Sequence, residues 1–348
     1  QLLVNAGWQL DDVITQEHII KLVSKQKTLN FNPGEEHMYC NTGYTLMAEI
    51  VKKVSGLTLR QYAEKNIFQP LDMKDTHFHD NYTEIVPGRA YSYNPLPNNK
   101  YQHSVLSYSN VGATSLFTTV LDELKWLNNY ETGTVGGKDL VQKMYQVGVL
   151  NDGRKLTYAF ALNMGKYKGW QQIGHGGGDA GFRTYACRFP EKGLGVVVFS
   201  NYGAVNPTGL ANQVADVFLQ GAKEEPRPEE VYFTDSTFLK KIPGRYYTER
   251  GDQVQLVWQN GKLARRNQNV GSTAEIKLVA EGNDRYRTSI GGVVLFDKKS
   301  ISSDSVMEFK VEHPHIIQAF KRLPPVEQKV TSEFAGKYFD ASTETFYH

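Results

Sequence analysis

The sequence has 348 residues, which corresponds to about two domains of ordinary size. Its 39 Lys and Arg residues nearly balance its 37 Asp and Glu residues, and this near-neutral charge disfavours a nucleic-acid-binding or polybasic membrane surface. Hydrophobic residues at 40 % are too many for a disordered chain, no apolar run approaches the roughly 18 residues of a membrane span, and two cysteines are too few for a disulfide scaffold, a four-cysteine zinc site or an iron–sulfur site.

Helical patterns dominate the first 130 residues. Thr15 is a suitable N-cap for a first helix. A second helix is predicted from about Thr42 to Ser55, since apolar residues recur at helical spacing: Met47, Ile50, Val51 and Val54. Further helices are predicted at 59–67, 119–128 and 210–219. The polar stretch 80–109 is predicted to be a long loop, and loops of that length are usually functional.

From residue 157 the spacing of apolar residues changes from helical to strand-like, which predicts the start of a sheet. Runs typical of β-strands occupy 157–164, 170–173, 182–189 and 194–200, with short turns between them. Strands so close in sequence pair antiparallel. Residues 1–222 therefore predict an α+β domain in which helices flank an antiparallel sheet.

The remainder reads as β-structure. The charged, proline-containing stretch 223–235 is typical of a linker. Short strands follow over 236–325, with an Asn260-Gly261 hairpin turn, and they predict a small all-β barrel. The pattern around Gly244 returns 92 residues later around Gly336. Either this six-residue similarity is chance, or a second β-module begins within 326–348 and is cut short.

Two short segments carry side chains that could take part in catalysis. Tyr39-Cys40-Asn41 lies just before the second helix, and His175-Gly176-Gly177-Gly178 lies at the end of a predicted strand. Ordinary explanations exist for both: Asn41 suits an N-cap, and the glycines suit a bulge or turn. They do not explain three glycines directly after a histidine, which suggest that another molecule approaches the backbone closely.

Other chemistries fit the sequence less well. The glycine run lacks the order of a dinucleotide or phosphate loop, and no Gly-x-Ser-x-Gly elbow accompanies it, as α/β-hydrolases require. A metal could touch His77-Phe78-His79 or His313-Pro314-His315. Neither has a neighbouring cysteine or histidine cluster in the sequence, so no metal site is expected.

The chain resembles the serine β-lactamase and penicillin-binding-protein-like hydrolases, a family that includes class C β-lactamases, D-alanyl-D-alanine carboxypeptidases and esterases. Four segments in the right order carry the resemblance, over most of residues 1–222: Pro33-Gly34-Glu35 with Tyr39 to Tyr44, Ile67 to Thr76, Gly112 to Trp126, and His175 to Gly178. The last stands where the family has Lys-Thr-Gly or His-x-Gly. The β-module more loosely resembles the lipocalin-like barrels appended to some members.

The resemblance implies a mechanism and roles. A serine attacks a carbonyl carbon of an ester, amide or β-lactam, and water releases the acyl-enzyme. Tyr39 would act as the shared acid and base, its pKa lowered by neighbouring cations, and Asn41 would orient a lysine and the substrate. His175 would supply a hydrogen bond or partial charge near Tyr39, and the Gly178 N–H would help form the oxyanion hole.

One required element is missing from the expected place. The family needs a Ser-x-x-Lys well upstream of the tyrosine, and the only early match is Ser24 to Lys27. Ser24 falls near the end of its predicted helix, and Lys27 lies in a polar loop where it would stay protonated. We therefore expect the true nucleophile segment to precede Gln1, the chain to be truncated at both ends, and the fragment itself to be inactive.

Substrate and location follow from the same resemblance. Gly176 offers no hydroxyl where β-lactam-cleaving members often bind a carboxylate, with Gly177 beside it in the substrate-binding strand and Arg183 a substitute donor on the next strand. This favours an esterase or peptidase acting on a small molecule or peptide, without a cofactor and in a periplasmic or secreted setting. A non-catalytic peptidoglycan- or ligand-binding relative is the alternative.

Overall fold

The structure is a computed structural model that describes residues 3, 6–9, 11–219 and 232–324, the last range with gaps at 249–252, 267–272, 283, 289–292, 297–304 and 314–315, together with 338–340 and 345–347. Residues 223–231 of the predicted linker 223–235 lie outside these residues. Within them, no helix is both long enough and apolar enough to cross a bilayer.

A four-stranded antiparallel sheet organises the first unit. Its strands are β5 (Asn163–Tyr167), β6 (Trp170–Asp179), β7 (Phe182–Phe189) and β8 (Leu194–Ser200), hydrogen-bonded in that order. Two small antiparallel pairs lie outside it: β1 (His77–Phe78) with β4 (Leu116–Phe117), and the hairpin of β2 (Ser92–Leu96) with β3 (Lys100–Ser104). The antiparallel sheet predicted from the sequence is thus present.

Helices surround this sheet. They are α1 (Gln16–Ser24), α2 (Asn41–Ser55), α3 (Leu59–Ala63, continued by a π-helical turn Glu64–Phe68), α4 (Val120–Thr132), α5 (Gly137–Met144) and α6 (Pro207–Phe218). Thr15 caps α1 as predicted: its side chain accepts from the His18 N–H in a capping box. Thr119 also caps its helix, α4, since its side chain accepts from the Asp122 N–H.

The core between sheet and helices is tightly closed on one face. Cys187 and Phe189 of β7 are fully buried against Ala211 and Ala215 of α6, whose small side chains let the helix approach the sheet. On the other face, Leu127 of α4 belongs to a second apolar cluster. The two cysteines, Cys40 and Cys187, are both free.

The structure differs from the sequence-based expectation in several elements. The predicted loop 80–109 contains the hairpin of β2 and β3, and α5 was not predicted. The strand expected at 157–164 is displaced to β5, because only Asn163 and its successors pair with β6. The apolar stripe of α2 is not buried: Met47, Ile50 and Val54 are exposed, whereas Thr45 and Ala48 are the buried residues of this helix.

The second unit is one antiparallel sheet of nine strands. In spatial order they are β12 (Thr273–Glu275), β11 (Lys262–Arg266), β10 (Gln253–Gln259), β9 (Gly244–Tyr247), β17 (Ile316–Arg322), β16 (Glu308–His313), β15 (Val293–Phe296), β14 (Arg285–Thr288) and β13 (Leu278–Gly282), preceded in the chain by the short helix α7 (Ser236–Leu239). Buried residues from distant strands, such as Leu263 and Phe309, share one cluster, so the sheet curls around its core.

The expected closure of this sheet into a barrel depends on its two end strands. Within the described residues, the end strands β12 and β13 are not hydrogen-bonded to each other, so the expected lipocalin-like closure is not confirmed. Buried Tyr246 holds the interior by donating to the Ile242 and Val306 carbonyl oxygens. Near the C-terminus, β18 (Tyr338–Asp340) pairs with β19 (Thr345–Tyr347), while most of the segment around Gly336 is outside the described residues. The second β-module therefore stays a prediction.

Candidate active site

The glycine run lies inside a strand. Strand β6 continues through His175 to Asp179, with Gly176 opposite Tyr185 and Gly178 opposite Arg183 in β7. The predicted strand end at residue 173 is therefore wrong, because the ladder with β7 keeps the backbone extended beyond it. On its other side β6 pairs with β5 only as far as Gly174. Within the described residues, the edge of β6 from 175 to 179 has no strand partner, so alternate N–H and C=O groups are available to a ligand.

Some glycines of this strand are closely packed against β7, and others leave room for a side chain. A Cβ on Gly174 would lie 2.5 Å from the Ala186 carbonyl oxygen and 2.7 Å from the Cys187 Cβ, whereas the nearest atoms to a Cβ on Gly176 are at 3.5 and 3.6 Å. We expect Gly174→Ala to destabilise the protein by about 1–3 kcal/mol through overpacking, and Gly176→Ala to change stability little. Urea denaturation of both variants measures this. Equal stability of the two variants would contradict the prediction.

His175 is held by both ring nitrogens. Its Nδ1 lies 2.6 Å from the Gly176 carbonyl oxygen, and its Nε2 lies 3.0 Å from the Tyr158 hydroxyl oxygen. Because a carbonyl oxygen only accepts, Nδ1 carries the proton of the neutral ring, and Nε2 accepts from Tyr158. Tyr158 was not predicted, since nothing in its local sequence distinguishes it from other tyrosines.

Tyr39 stands beside this pair. Its ring centroid lies 5.9 Å from that of His175, in a stacked arrangement, and 6.2 Å from that of Tyr158, edge to face. The Tyr39 side chain is 58 % exposed, so its hydroxyl is accessible to a ligand. Two segments that the sequence analysis singled out, 136 residues apart, thus meet at one place.

Neighbouring tyrosines share the site. Burial, followed by the proximity of Tyr44 and Tyr39, raises the pKa of Tyr158 to about 12. Burial and the proximity of Tyr39 also raise the pKa of Tyr44. Both hydroxyls therefore stay protonated at neutral pH, and Tyr158 serves as a hydrogen-bond donor to His175 rather than as a base.

Asn41 does not cap its helix. The N-cap of α2 is Cys40, which makes no side-chain capping bond, and Asn41 is the first residue of the helix. The capping explanation of Asn41 is therefore wrong. Asn41 is exposed and lines the same cavity as Tyr39.

The predicted substrate strand also faces this cavity. Gly176, Gly177 and Gly178 are exposed along the open edge of β6. Arg183 lies beside them, but its guanidinium donates to the carbonyl oxygens of Ala180 and Phe182 at 3.1 and 2.6 Å. All seven predicted site residues thus line one cavity, and Nη1 of Arg183 is bonded to carbonyl oxygens at the β6–β7 turn.

The cavity at the site is unusually large. Its volume is about 2580 Å³, whereas small-molecule sites usually measure about 300–1,000 Å³. Its walls include apolar residues far from Tyr39, such as Leu22, Leu127 and Ile173. Two buried polar atoms of lining residues, Arg89 Nε and Ser115 Oγ, have no hydrogen-bond partner in the part of the chain that the structure describes.

The early Ser-x-x-Lys match lies elsewhere. Ser24 is the last residue of α1, and its hydroxyl donates to the Lys21 carbonyl oxygen at 2.9 Å. Lys27 is exposed in the loop beyond. Neither residue lines the cavity. This placement agrees with the sequence-based rejection of Ser24 as a nucleophile.

An antiparallel sheet flanked by helices, with the glycine-rich end of a strand beside a tyrosine, is typical of the class of serine β-lactamases and penicillin-binding proteins. The chain belongs to the beta-lactamase family, whose profile matches residues 5–217. The resemblance stated from the four sequence segments is therefore confirmed.

Similar proteins agree with this assignment. A D-aminopeptidase of Brucella anthropi is 22 % identical over 236 residues, which are 66 % of this chain and 43 % of that protein. An octameric penicillin-binding protein homologue from Pyrococcus abyssi is 23 % identical, with a TM-score of 0.56 over 90 % of this chain and 71 % of that one. A D-amino acid amidase from Ochrobactrum anthropi SV3, in complex with D-phenylalanine, is 22 % identical, with a TM-score of 0.51 over 62 % and 66 %. The chain spans less than half the length of the D-aminopeptidase.

Proposed function

We propose that the full-length protein is a serine hydrolase that cleaves amide bonds of D-amino-acid amides or short D-amino-acid peptides through an acyl-enzyme. The observation that carries the proposal is the meeting of Tyr39, His175 and the open glycine edge of β6 at one cavity wall. The edge suits an extended substrate backbone, because it offers main-chain donors and acceptors beside glycines that leave room for it.

Tyr39 is the acid and base of this reaction. It takes the proton of the attacking serine and passes it to the leaving amine. Tyr158 and His175 position its ring: Tyr158 donates to His175, and the His175 ring stacks on Tyr39. Asn41 binds the substrate, and the Gly178 N–H stabilises the oxyanion together with the N–H of the serine.

The serine and its lysine are supplied by a segment outside the 348 residues. Three features support this. The cavity exceeds the usual size of a ligand site, its walls are partly apolar, and Arg89 Nε and Ser115 Oγ lack partners that an inserted segment would provide. The D-aminopeptidase relative is also more than twice as long as the region that matches it.

The substrate preference follows from what the edge strand offers. Gly176 has no hydroxyl to hold a substrate carboxylate, and the Arg183 guanidinium is already bonded to two carbonyl oxygens. A substrate without a free carboxylate beside the scissile bond needs no donor at this position, so its binding is not weakened by the absence of one. The D-aminopeptidase and D-amino acid amidase to which the chain is similar act, by their names, on substrates of D configuration.

A fluorophosphonate probe tests the acyl-enzyme mechanism. We expect one stable adduct on the full-length protein, on a serine outside the 348 residues, and none on the 348-residue chain alone, as measured by intact mass and peptide mapping. An adduct on a serine within the 348 residues would refute the nucleophile assignment. No adduct on the folded full-length protein would refute the hydrolase and leave the ligand-binding alternative.

Substrate assays test the preference. D-phenylalanine amide should be hydrolysed faster than its L enantiomer, and both nitrocefin and a D-alanyl-D-alanine peptide should be poor substrates. Faster turnover of nitrocefin would overturn the argument from Gly176.

A further inference from the structure

A second cluster of chemically active side chains shares no residue with the site around Tyr39. His77 and His79 are two residues apart in an extended segment, since the His79 N–H continues the β1–β4 ladder by donating to the Ser115 carbonyl oxygen. Alternate residues of a strand face the same side, so both imidazoles point the same way. His77 Nε2 lies 3.2 Å from His79 Nδ1.

A carboxylate completes the cluster. Glu84 Oε2 lies 3.9 Å from His79 Nδ1, and the three potential ligand atoms of His77, His79 and Glu84 all lie within 4.8 Å of one another. Ligand atoms bound about 2.0–2.2 Å from one zinc ion are separated by distances of this order. No metal site was expected here because no cysteine or histidine cluster neighbours the two histidines in the sequence, but the fold supplies a third ligand from the loop after β1.

The surroundings hold these ligands in place. His79 is 2 % exposed, and its ring stacks on Phe117 with centroids 4.3 Å apart. The guanidinium of Arg60 contacts both oxygens of Glu84 at 2.5 and 2.8 Å, which fixes the carboxylate orientation. An ionised carboxylate has about four acceptor positions, so Oε2 can contact a metal and Arg60 together. Asp80, 3.1 Å from Arg60, offsets the arginine charge.

We propose that His77, His79 and Glu84 bind one divalent transition-metal ion, of which Zn²⁺ is the representative. Two imidazoles and one carboxylate suit zinc, cobalt or nickel rather than magnesium, which prefers oxygen ligands. Three protein ligands leave the fourth position of a tetrahedral ion open. His77 and Glu84 both line the large cavity, so that position is reachable by water or another ligand. The site is separate from the proposed acyl-transfer residues and does not depend on them.

Calorimetric titration of the metal-free 348-residue chain tests the proposal. The Cys40→Ser background removes the exposed thiol as a competing ligand. We expect one saturable Zn²⁺ site per chain, no saturable Mg²⁺ site, and visible absorption bands of tetrahedral type with Co²⁺. His77→Ala and Glu84→Gln should each weaken Zn²⁺ binding by at least the 10–100-fold (about 1.4–2.7 kcal/mol) typical of losing even an outer-shell partner.

A matched variant controls for general histidine chemistry. His103→Ala also removes one imidazole from a cavity-lining residue, and it should leave Zn²⁺ affinity unchanged. Circular dichroism of each variant establishes that it is folded, and His77→Asn replaces His77→Ala if the alanine variant is not. Absence of one-to-one Zn²⁺ binding by the folded parent would overturn the proposal. Equal Zn²⁺ affinity of the His77→Ala and His103→Ala variants would overturn it as well, because the zinc would then be bound by other groups on the surface.

Discussion

Phenylalanine in place of Tyr39 is expected to lower kcat/KM of the full-length protein on D-phenylalanine amide by about 10²–10⁴-fold, the usual contribution of a positioned acid or base. The substitution removes only the hydroxyl, while the ring can still stack on His175 and contact Tyr158. The loss should therefore fall on kcat rather than on folding or KM. Steady-state kinetics and a thermal unfolding scan of the same preparation measure the two effects separately.

Two further tyrosine-to-phenylalanine substitutions serve as comparisons for Tyr39→Phe. Tyr62→Phe removes a hydroxyl from a partly exposed tyrosine of α3, outside the cavity lining, and should leave kcat/KM unchanged. Tyr158→Phe removes the hydrogen bond to His175 Nε2 and should give a smaller loss of kcat/KM, because Tyr158 acts only by positioning His175. Full activity of Tyr39→Phe would refute the role of Tyr39 as acid and base.

The largest stability effect is expected at Asp122. Its side chain is 2 % exposed and accepts hydrogen bonds from the Asp75 N–H at 2.8 Å, the Thr76 hydroxyl at 2.9 Å and the Lys125 ammonium at 2.9 Å. Asp122→Ala leaves the Asp75 N–H without its acceptor, at about 1–3 kcal/mol. It also removes the charge-assisted bond from Thr76, at about 1.5–3 kcal/mol more, and that from Lys125. The Thr76 hydroxyl keeps the Thr118 hydroxyl as a partner at 2.7 Å. We therefore expect the free energy of unfolding to fall by about 2–5 kcal/mol. Urea denaturation followed by the fluorescence of Trp126, on the same helix, measures it.

The pH dependence of this loss has a definite sign. Burial alone raises the pKa of Asp122, but the hydrogen bonds from Lys125, Asp75 and Thr76 outweigh it, and the net pKa is lowered. The ionised carboxylate therefore stabilises the fold above its ordinary pKa of 3.8, and this contribution disappears as the pH falls below that value through the folded-state pKa. The difference between Asp122→Ala and the parent should be complete at pH 7 and shrink below about pH 4.

An exposed aspartate provides the comparison. Asp152 is 52 % exposed and pairs with Arg154, and surface pairs of this kind contribute little. Asp152→Asn should change the free energy of unfolding by less than about 1 kcal/mol. A similar loss for Asp152→Asn and Asp122→Ala would show that the buried hydrogen bonds of Asp122 are not the cause.

Local signals in the sequence were sufficient for many elements of the fold. The N-cap Thr15 and the apolar runs of β7 and β8 each act over a few residues, and the structure has the predicted helix or strand at each. Elements that depend on distant partners were predicted less well. The end of β6 is set by its ladder with β7, and the hairpin of β2 and β3 is formed by polar residues with weak alternation.

The same distinction applies to the candidate site. Tyr39, Asn41 and the His175 glycine run were identified from their residue types and order. Tyr158 and Glu84 were missed, because a single tyrosine or glutamate carries no local pattern. The packing of α2 was also mispredicted: helical spacing shows which side chains share a face, but not whether another element covers that face.

The sequence by itself determined the family and the α+β character of residues 1–222, and it predicted Tyr39, Asn41 and His175 of the proposed acid–base site, since these depend on local spacing and motif order. Only the tertiary structure decided that Tyr158 donates to His175, that Arg183 is bonded to its own turn, and that Glu84 faces His77 and His79. These contacts join side chains whose positions depend on how whole strands and loops pack together. No local pattern specifies that packing, because it results from the free energy of burying the entire core.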